Sequence, residues 1–470
     1  MNKHSNSFWV LASLFEYSTV TIAYQTEARI TQSKPSGSSR WFAKLSQRFK
    51  RSQINENGQD SHRYGFAVGL AAGLYFANHG PSVVPIVAAK DKPMISPVKP
   101  RERDFYAPNS EALASDEMRV IACGTGMPTP RPAQAAACFL VELGNGDKFL
   151  FDIGDGSVER LFGLQIPTAF LDKVFIGHLH GDHFGGIGAL YVAGGIAGRF
   201  SPLRIWGPSG STPELGTKAA IDAMETMYAW DLAGRLGQTD VRGFATDVTE
   251  FDYKKVQVVY EENGVKITAF PAIHAIDGSV SYRLDWKGLS FVFSSDTYPN
   301  KWFVEYAKDA DLVVHECFIA VPDLVAIYGL TPEAALQVGT QIHTAPEAFG
   351  KIMSLVKPRH AVAYHFWNGP DSTPAVLERI LKTYDGPLSL AEDYMVWNVT
   401  KDGIRERMAV INHHSWNPPA AYPPEPVKAE DRVGYSPEIE AGRYNVDDVL
   451  KPIYEEAGKA LGREFEYPSN

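Results

Sequence analysis

Residues Phe175–Gly186 read FIGHLHGDHFGG, with three histidines and an aspartate crowded between His178 and His183. Neutral imidazoles and carboxylates are ligands for zinc and its transition-metal neighbours. One buried histidine is most simply explained by packing, but four such groups desolvated together without a partner would be costly. The cluster therefore reads as one wall of a metal site. If a strand runs through His178 and His180, both side chains point to one face. Gly181 allows a sharp turn, and Asp182 and His183 then open a helix. Further ligands are expected where other apolar runs end on a polar residue: His274 closes ITAFPAIH, Asp296 closes LSFVFSSD and His365 closes HAVAYH. Asp152 closes KFLFD and is expected to hydrogen-bond a ligand histidine or the cluster backbone, not to bind metal. His315 reads as packing, His360 as surface, and His413 and His414 as part of a C-terminal extension.

The elements that must position these groups run from Met118 to about Ile411. MRVIACG, CFLVEL, KFLFD, KVFIGH, LRIWG, VKITAFPAIH, VSYRLDW, LSFVFSSD, LVVHE and HAVAYHF read as strands. Helical spacing is expected at 158–164, 182–198, 212–236, 301–308, 346–356 and 373–384, with a closing strand pair near 394–409. Strands crowd in each half with helices between them, which predicts layered α/β with two helix-covered sheets. Each strand end is a place where open α/β sheets locate their sites.

Around that core the composition changes. Residues 1–63 read as a disordered or mis-assigned N-terminal extension, rich in Ser, Gln, Asn, Lys and Arg from 25 onward. The uncharged run Tyr64–Ala77, with Val87-Ala88-Ala89 as a cleavage signal, makes 64–89 a signal peptide or membrane anchor, hence a periplasmic or anchored protein, with a cytoplasmic one as the alternative. Residues 90–117 read as a linker, 118–411 as the domain that carries the cluster, and 412–470 as a Pro-rich extension with a helix at 446–461. The net charge of −10 argues against general affinity for nucleic acid or anionic membrane. Three cysteines, Cys123, Cys138 and Cys317, form no disulfide framework and read as small buried hydrophobes.

The ordered set HLHGDH, a strand-end His, SSDT and a late His resembles the metallo-β-lactamase superfamily. VIACGTGMPTP, FLFDIGDG, IWGPSG, VVHECF and HTAPEA resemble its ribonuclease Z-like branch. GTGMPTP and FDIGDGS, behind a long N-terminal extension, are also similar to the metallo-hydrolases of guanitoxin biosynthesis. The resemblance implies a four-layer αββα sandwich with two mixed sheets. It also implies two zinc ions per chain, zinc being preferred over Mn or Fe. His178, His180 and His274 would hold one ion and Asp182, His183 and His365 the other, with Asp296 bridging them. Metals of such a pair sit about 3.5–4 Å apart. Asp296 stands where metallo-β-lactamases proper carry Cys, which disfavours antibiotic hydrolysis. His180 stands where flavodiiron proteins carry Glu.

A hydroxide formed between two cations would attack, with Asp182 orienting it. The resemblance assigns His343 as the leaving-group acid and Glu316 as the carboxylate that holds it. Ribonuclease Z proper inserts a long tRNA-gripping arm between the strand-end His and the SGDT-like motif, whereas residues 275–295 here suffice only for two strands. The expectation is therefore hydrolysis of a small ester, most simply a phosphodiester, by a homo-oligomer, a dimer, with nucleic acid disfavoured. The alternatives are a ribonuclease Z-like endoribonuclease or an arylsulfatase- or lactonase-type hydrolase. The insert Ser209–Phe251, with Met224, Met227, Tyr228, Trp230 and nearby Trp206, either walls an apolar pocket or packs as an amphipathic helix.

Overall fold

The computed structural model describes residues 104–468, apart from 130, 371 and 423–427. The expected N-terminal extension, the signal or anchor segment including 64–77, and the first part of the linker lie outside the described residues.

Sixteen described strands form two sheets. The first contains β1 (Phe105–Tyr106), β2 (Met118–Gly124), β3 (Cys138–Leu143), β4 (Lys148–Phe151), β5 (Lys173–Phe175), β6 (Leu203–Pro208) and β7 (Thr246–Phe251). The second contains β8 (Gln257–Glu262), β9 (Val265–Pro271), β10 (Val280–Trp286), β11 (Leu289–Phe293), β12 (Leu312–Glu316), β13 (His360–Tyr364) and β14 (Leu388–Leu390). The chain then returns to the first sheet with β15 (Met395–Val399) and β16 (Ile404–Ala409), which gives the order β1-β16-β15-β2-β3-β4-β5-β6-β7. Both sheets are mixed: β4, β5, β6 and β7 run parallel, as do β11, β12, β13 and β14, beside antiparallel neighbours.

The sheets face each other across an aromatic core. Phe139 and Phe151 of the first meet Phe293, Phe291 and Tyr364 of the second at ring distances of 5.0–6.0 Å. The outer faces are covered by helices, as alternating apolar strands buried on both sides require. On the first sheet lie α1 (Ser157–Gly163), α2 (Gly181–Phe184), α3 (Ile187–Ile196), α4 (Thr217–Met227) and α5 (Ala229–Arg235). On the second lie α6 (Lys301–Tyr306), α7 (Val321–Tyr328), α8 (Pro332–Gln337), α9 (Pro346–Val356) and α10 (Thr373–Ile380). The expected helix-sheet-sheet-helix layering is the architecture observed.

Several local expectations change. The linker reading fails over 104–117: β1 pairs parallel with β16, and Tyr106 is buried between the guanidiniums of Arg119 (4.3 Å) and Arg407 (4.9 Å). The charges of this segment are paired, Glu111 with Arg119 and Arg407, and Asp104 with Arg405. The single helix expected after the histidine cluster is two, α2 and α3, interrupted at Gly185–Gly186. Trp206 and Met224 do not wall a pocket. Trp206 stacks on Phe175 in the inter-sheet core (4.7 Å, 4°), Met224 is buried under α4, and Trp230 stands 85% exposed. The C-terminal segment leans on the first sheet's helices through Tyr422 against Phe200 and Ser415 against Gln165. It ends in α11 (Pro437–Glu440) and α12 (Asp447–Leu461). Among the described residues no helix is long and apolar enough to cross a membrane.

Candidate metal centre

Six strand ends converge at one edge of the sandwich. β4 delivers Asp152, β5 the 178–183 segment, β9 His274, β11 Asp296, β12 Glu316 and β13 His365. β5 stops at Phe175, so strand alternation does not aim His178 and His180. An extended loop carries them, and His180, in extended conformation, leads into α2. Asp152, Ser295 and His365 all take left-handed backbone (φ 55°, 48° and 70°), each one or two residues beyond its strand. Such strained turns concentrate at sites whose surroundings over-determine them. Gly154 permits the closest approach: a Cβ there would lie 2.1 Å from the Asp182 carbonyl oxygen.

All seven residues expected as ligands meet. Ligand atoms of His178, His180, His274 and Asp296 lie within 4.8 Å of one another, as do those of Asp182, His183, Asp296 and His365. Asp296 belongs to both groups. Its Oδ1 is 3.1 Å from His183 Nε2, and its Oδ2 is 3.2 Å from His365 Nε2, 3.7 Å from His274 Nε2 and 3.9 Å from His178 Nε2. His180 Nδ1 faces His274 Nε2 at 3.1 Å.

The second layer of contacts decides which ring nitrogens keep a lone pair. Asp152 Oδ2 accepts from His183 Nδ1 at 2.6 Å and from Ser295 Oγ at 2.8 Å, while Oδ1 accepts from the Gly177 backbone N–H at 2.7 Å. Asp152 thus binds a cluster histidine and the cluster backbone at once. Ser295 Oγ, donating to Asp152, is left to accept from His178 Nδ1 at 3.1 Å. The Ile342 carbonyl accepts from His274 Nδ1 at 3.2 Å. With Nδ1 donating, the Nε2 atoms of His178, His183 and His274 are acceptors turned inward. Two carboxylate oxygens face His183 Nε2, Asp296 Oδ1 at 3.1 Å and Asp182 Oδ2 at 3.3 Å, and His365 Nε2 lies 3.3 Å from it. His178 Nε2 and both Asp296 oxygens are buried with no hydrogen-bond donor. Carboxylates and inward ring nitrogens facing one another in a dry pocket need protons or metal cations between them, and this donor set fits divalent metal.

Without a metal, the charges of Asp296, Asp182 and Asp152 outweigh burial and lift the His183 imidazole well above its ordinary pKa, so the carboxylates that would face a cation hold a proton on this ring instead. Burial holds His178 well below its usual value and His274 down to about 3, which keeps both neutral as ligands must be. Burial works to raise Asp182, yet the His183 charge and hydrogen bonds from His183 and His365 hold it far below the carboxylate range.

Beside this cluster stands the pair expected as acid and partner. His343 Nδ1 lies 3.1 Å from Glu316 Oε2, and Glu316 Oε1 accepts from the Thr297 backbone N–H at 2.6 Å. Burial raises the Glu316 carboxyl and lowers His343. His343 follows a wide helical turn, Val338–Ile342, closed by its own N–H on the Val338 carbonyl. His315 is packed between Phe303 and Phe349, and burial lowers it to about 4. His360 is half-buried with Nε2 2.6 Å from Ser389 Oγ, and His413 and His414 are exposed and remote from the cluster's ligand groups.

Sequence reasoning missed the residues that lock the loops together. The His365 backbone N–H donates to the Thr125 carbonyl, and Asp393 accepts from Thr125 N and Oγ1 and from Ala135 N. Gln134 bridges Thr125 Oγ1 to the Phe366 carbonyl. Nothing local marks Asp393, which lies in an unremarkable loop far along the chain.

Known proteins share this arrangement of sequence. The family model of the anti-Pycsar protein Apyc1 matches residues 118–326. Ribonuclease Z of Mycobacterium avium is 30% identical over 235 residues, 49% of this chain and 79% of that protein. Ribonuclease Z of Haloferax volcanii is 28% identical over 313 residues, covering 59% and 93%. Among solved structures, the metallo-beta-lactamase fold protein YhfI from Bacillus subtilis aligns with TM-score 0.45 at 21% identity, over 60% of this chain and all of that one. The short form of human tRNase Z aligns with TM-score 0.44 at 20% identity, over 59% and 98%. The protein is a metal-dependent hydrolase of ester bonds, and the chain belongs to the ribonuclease Z-like branch of the metallo-β-lactamase superfamily.

Proposed function

We propose that the protein hydrolyses phosphodiesters with two divalent cations, zinc by donor type. His178, His180 and His274 would hold one, and Asp182, His183 and His365 the other, with Asp296 shared. The observation that carries this reading is Asp296, whose two buried oxygens have no hydrogen-bond partner while the Nε2 atoms of His183 and His365 converge on them at 3.1 and 3.2 Å. When bound, the cations would acidify a water and neutralise charge building on phosphoryl oxygens. The chain's own groups do the rest. Asp152 and Ser295 fix the inward tautomers of His183 and His178. Asp182 accepts a hydrogen bond from the attacking water and orients it. His343, its Nδ1 held by Glu316, gives the proton of its outward nitrogen to the leaving oxygen.

The relatives named ribonuclease Z favour an RNA phosphodiester over the small ester expected from the sequence. A small phosphodiester is the second reading, favoured by β10 and β11: between His274 and Asp296 the chain makes only this hairpin, turned at Lys287–Gly288, where a tRNA-gripping arm would be inserted. Metal-loaded protein incubated with precursor tRNA at low salt and with bis(p-nitrophenyl) phosphate separates the two. Cleavage of the tRNA at its 3′ side supports the first, and turnover of the aryl ester alone supports the second. Asp182→Ala should lose the activity in whichever assay responds, by roughly a hundredfold or more. Turnover of neither substrate, or full activity in Asp182→Ala, would overturn the reading.

A further inference from the structure

We propose that Phe318 is a positioning residue that fixes the plane of the His343 ring for proton delivery to the leaving oxygen; this rests on His343 as the acid. The two rings are stacked with centroids 4.0 Å apart and planes within 2°. Glu316 alone cannot set that plane. Contacts of Nδ1 with the two Glu316 oxygens, at 3.1 and 3.3 Å, anchor only one edge of the imidazole and leave the ring able to tilt about it. The backbone gives little more, because His343 leaves the wide turn in extended conformation (φ −113°, ψ 170°). The stack removes the remaining freedom. It is braced in turn: the Phe318 N–H donates to the carbonyl of Thr344, the neighbour of His343, at 2.9 Å. Metal-ligand rings also border His343, His274 at 4.8 Å and His365 at 5.2 Å, the latter lying 5.7 Å from Phe318 as well. A tilted His343 would turn its proton from the leaving oxygen toward those rings. Misplacement of a catalytic group by about 1 Å costs on the order of a hundredfold. The competing view is that Phe318, 4% exposed and part of the apolar cluster under the second sheet, is packing and nothing more.

A leaving-group comparison on the metal-loaded full chain separates these. Bis(p-nitrophenyl) phosphate releases p-nitrophenolate, which leaves without an acid, whereas the nucleoside hydroxyl of a dinucleoside monophosphate needs a proton as its P–O bond breaks. Phe318→Leu keeps apolar bulk and removes the ring. It should lower kcat on the dinucleoside substrate by about tenfold, leave KM unchanged, and change bis(p-nitrophenyl) phosphate turnover by less than about twofold. Phe318→Tyr should restore the loss, and Phe318→Leu should add none in a His343→Ala background. Equal losses on both substrates, additive losses in the double variant, or reduced bound zinc in Phe318→Leu would overturn the proposal and return Phe318 to packing. Ring signals of His343 in histidine-labelled protein give a readout independent of turnover: they should broaden or split in Phe318→Leu. Unchanged signals overturn the positioning role even if no phosphodiester proves to be a substrate, an outcome that would instead sink the proposed reaction.

Discussion

At the scale of residues, the centre depends on which nitrogen of each histidine carries hydrogen. Asp152 decides this for two rings, directly for His183 and through Ser295 for His178. Partners of this kind typically hold ten- to a hundredfold in metal affinity. Asp152→Asn keeps the shape and removes the charge, and an amide oriented the wrong way would present a donor to His183 Nδ1. Zinc affinity measured by chelator competition should fall about ten- to a hundredfold; affinity equal to wild type would show that the ring orientations are set elsewhere. The ligands themselves were legible because each is a costly residue type at the end of an apolar run. Ser295 was not, since a serine beside SSDT is an ordinary turn residue until its hydroxyl is seen between His178 and Asp152. Asp393 was illegible for a different reason: its partners, Thr125 and Ala135, are some 260 positions away in sequence.

At the scale of elements, strand order and layering follow from hydrophobic runs, and these were readable. β2, β3, β11 and β12 are buried along their whole length, as two-sided covering demands. What periodicity cannot supply is the backbone beyond the last strand residue. KVFIGH reads as one strand, yet pairing with β4 and β6 ends at Phe175, and the loop takes over before His178. β1 was missed because two residues show no period, and its support comes from cation–π contacts of Arg119 and Arg407 with Tyr106. Close backbone approach is the feature that ties the elements to the chemistry. At Gly154 an added Cβ would meet the Asp182 carbonyl at 2.1 Å and the Ala136 Cβ at 2.7 Å, neither of which can move without shifting α2 or the start of β3. Gly154→Ala should therefore cost about 1–3 kcal/mol in stability and weaken zinc binding together with it. Gly403→Ala, where a Cβ meets nothing within 4 Å, is the control and should leave zinc binding unchanged. Thermal melting and chelator competition on both variants would check this; unaltered zinc affinity in Gly154→Ala would mean that α2 can move without disturbing Asp182 and His183.

At the scale of the whole molecule, the centre joins two sheets whose facing surfaces are apolar and which are tied elsewhere by a few polar contacts, Arg204 to Glu262 and the Tyr282 hydroxyl to the Ile176 carbonyl among them. His178, His180, Asp182 and His183 follow β5 of the first sheet, whereas His274, Asp296 and His365 follow β9, β11 and β13 of the second. Aromatic packing between Phe139, Phe151, Phe291, Phe293 and Tyr364 holds the sheets together by non-directional contact. Cations bound across the seam would add directional bonds there, and they would replace the unfavourable facing of His183 Nε2, His365 Nε2 and the Asp296 oxygens. Binding to the native state alone stabilises it by about 2.7 kcal/mol when free metal is a hundred times its dissociation constant. For a domain of this size that amounts to roughly 2–4 °C in melting temperature, provided unfolding is reversible. Zinc-loaded protein should accordingly melt higher than protein stripped with a chelator, and the increment should grow with free zinc. Asp296→Ala removes the group common to both halves and should abolish the increment while leaving the aromatic seam intact. A zinc-dependent increment that survives in Asp296→Ala would place the stabilising ion outside the shared centre. Identical melting of loaded and stripped wild-type protein would mean that the sheets hold their register without any ion between them.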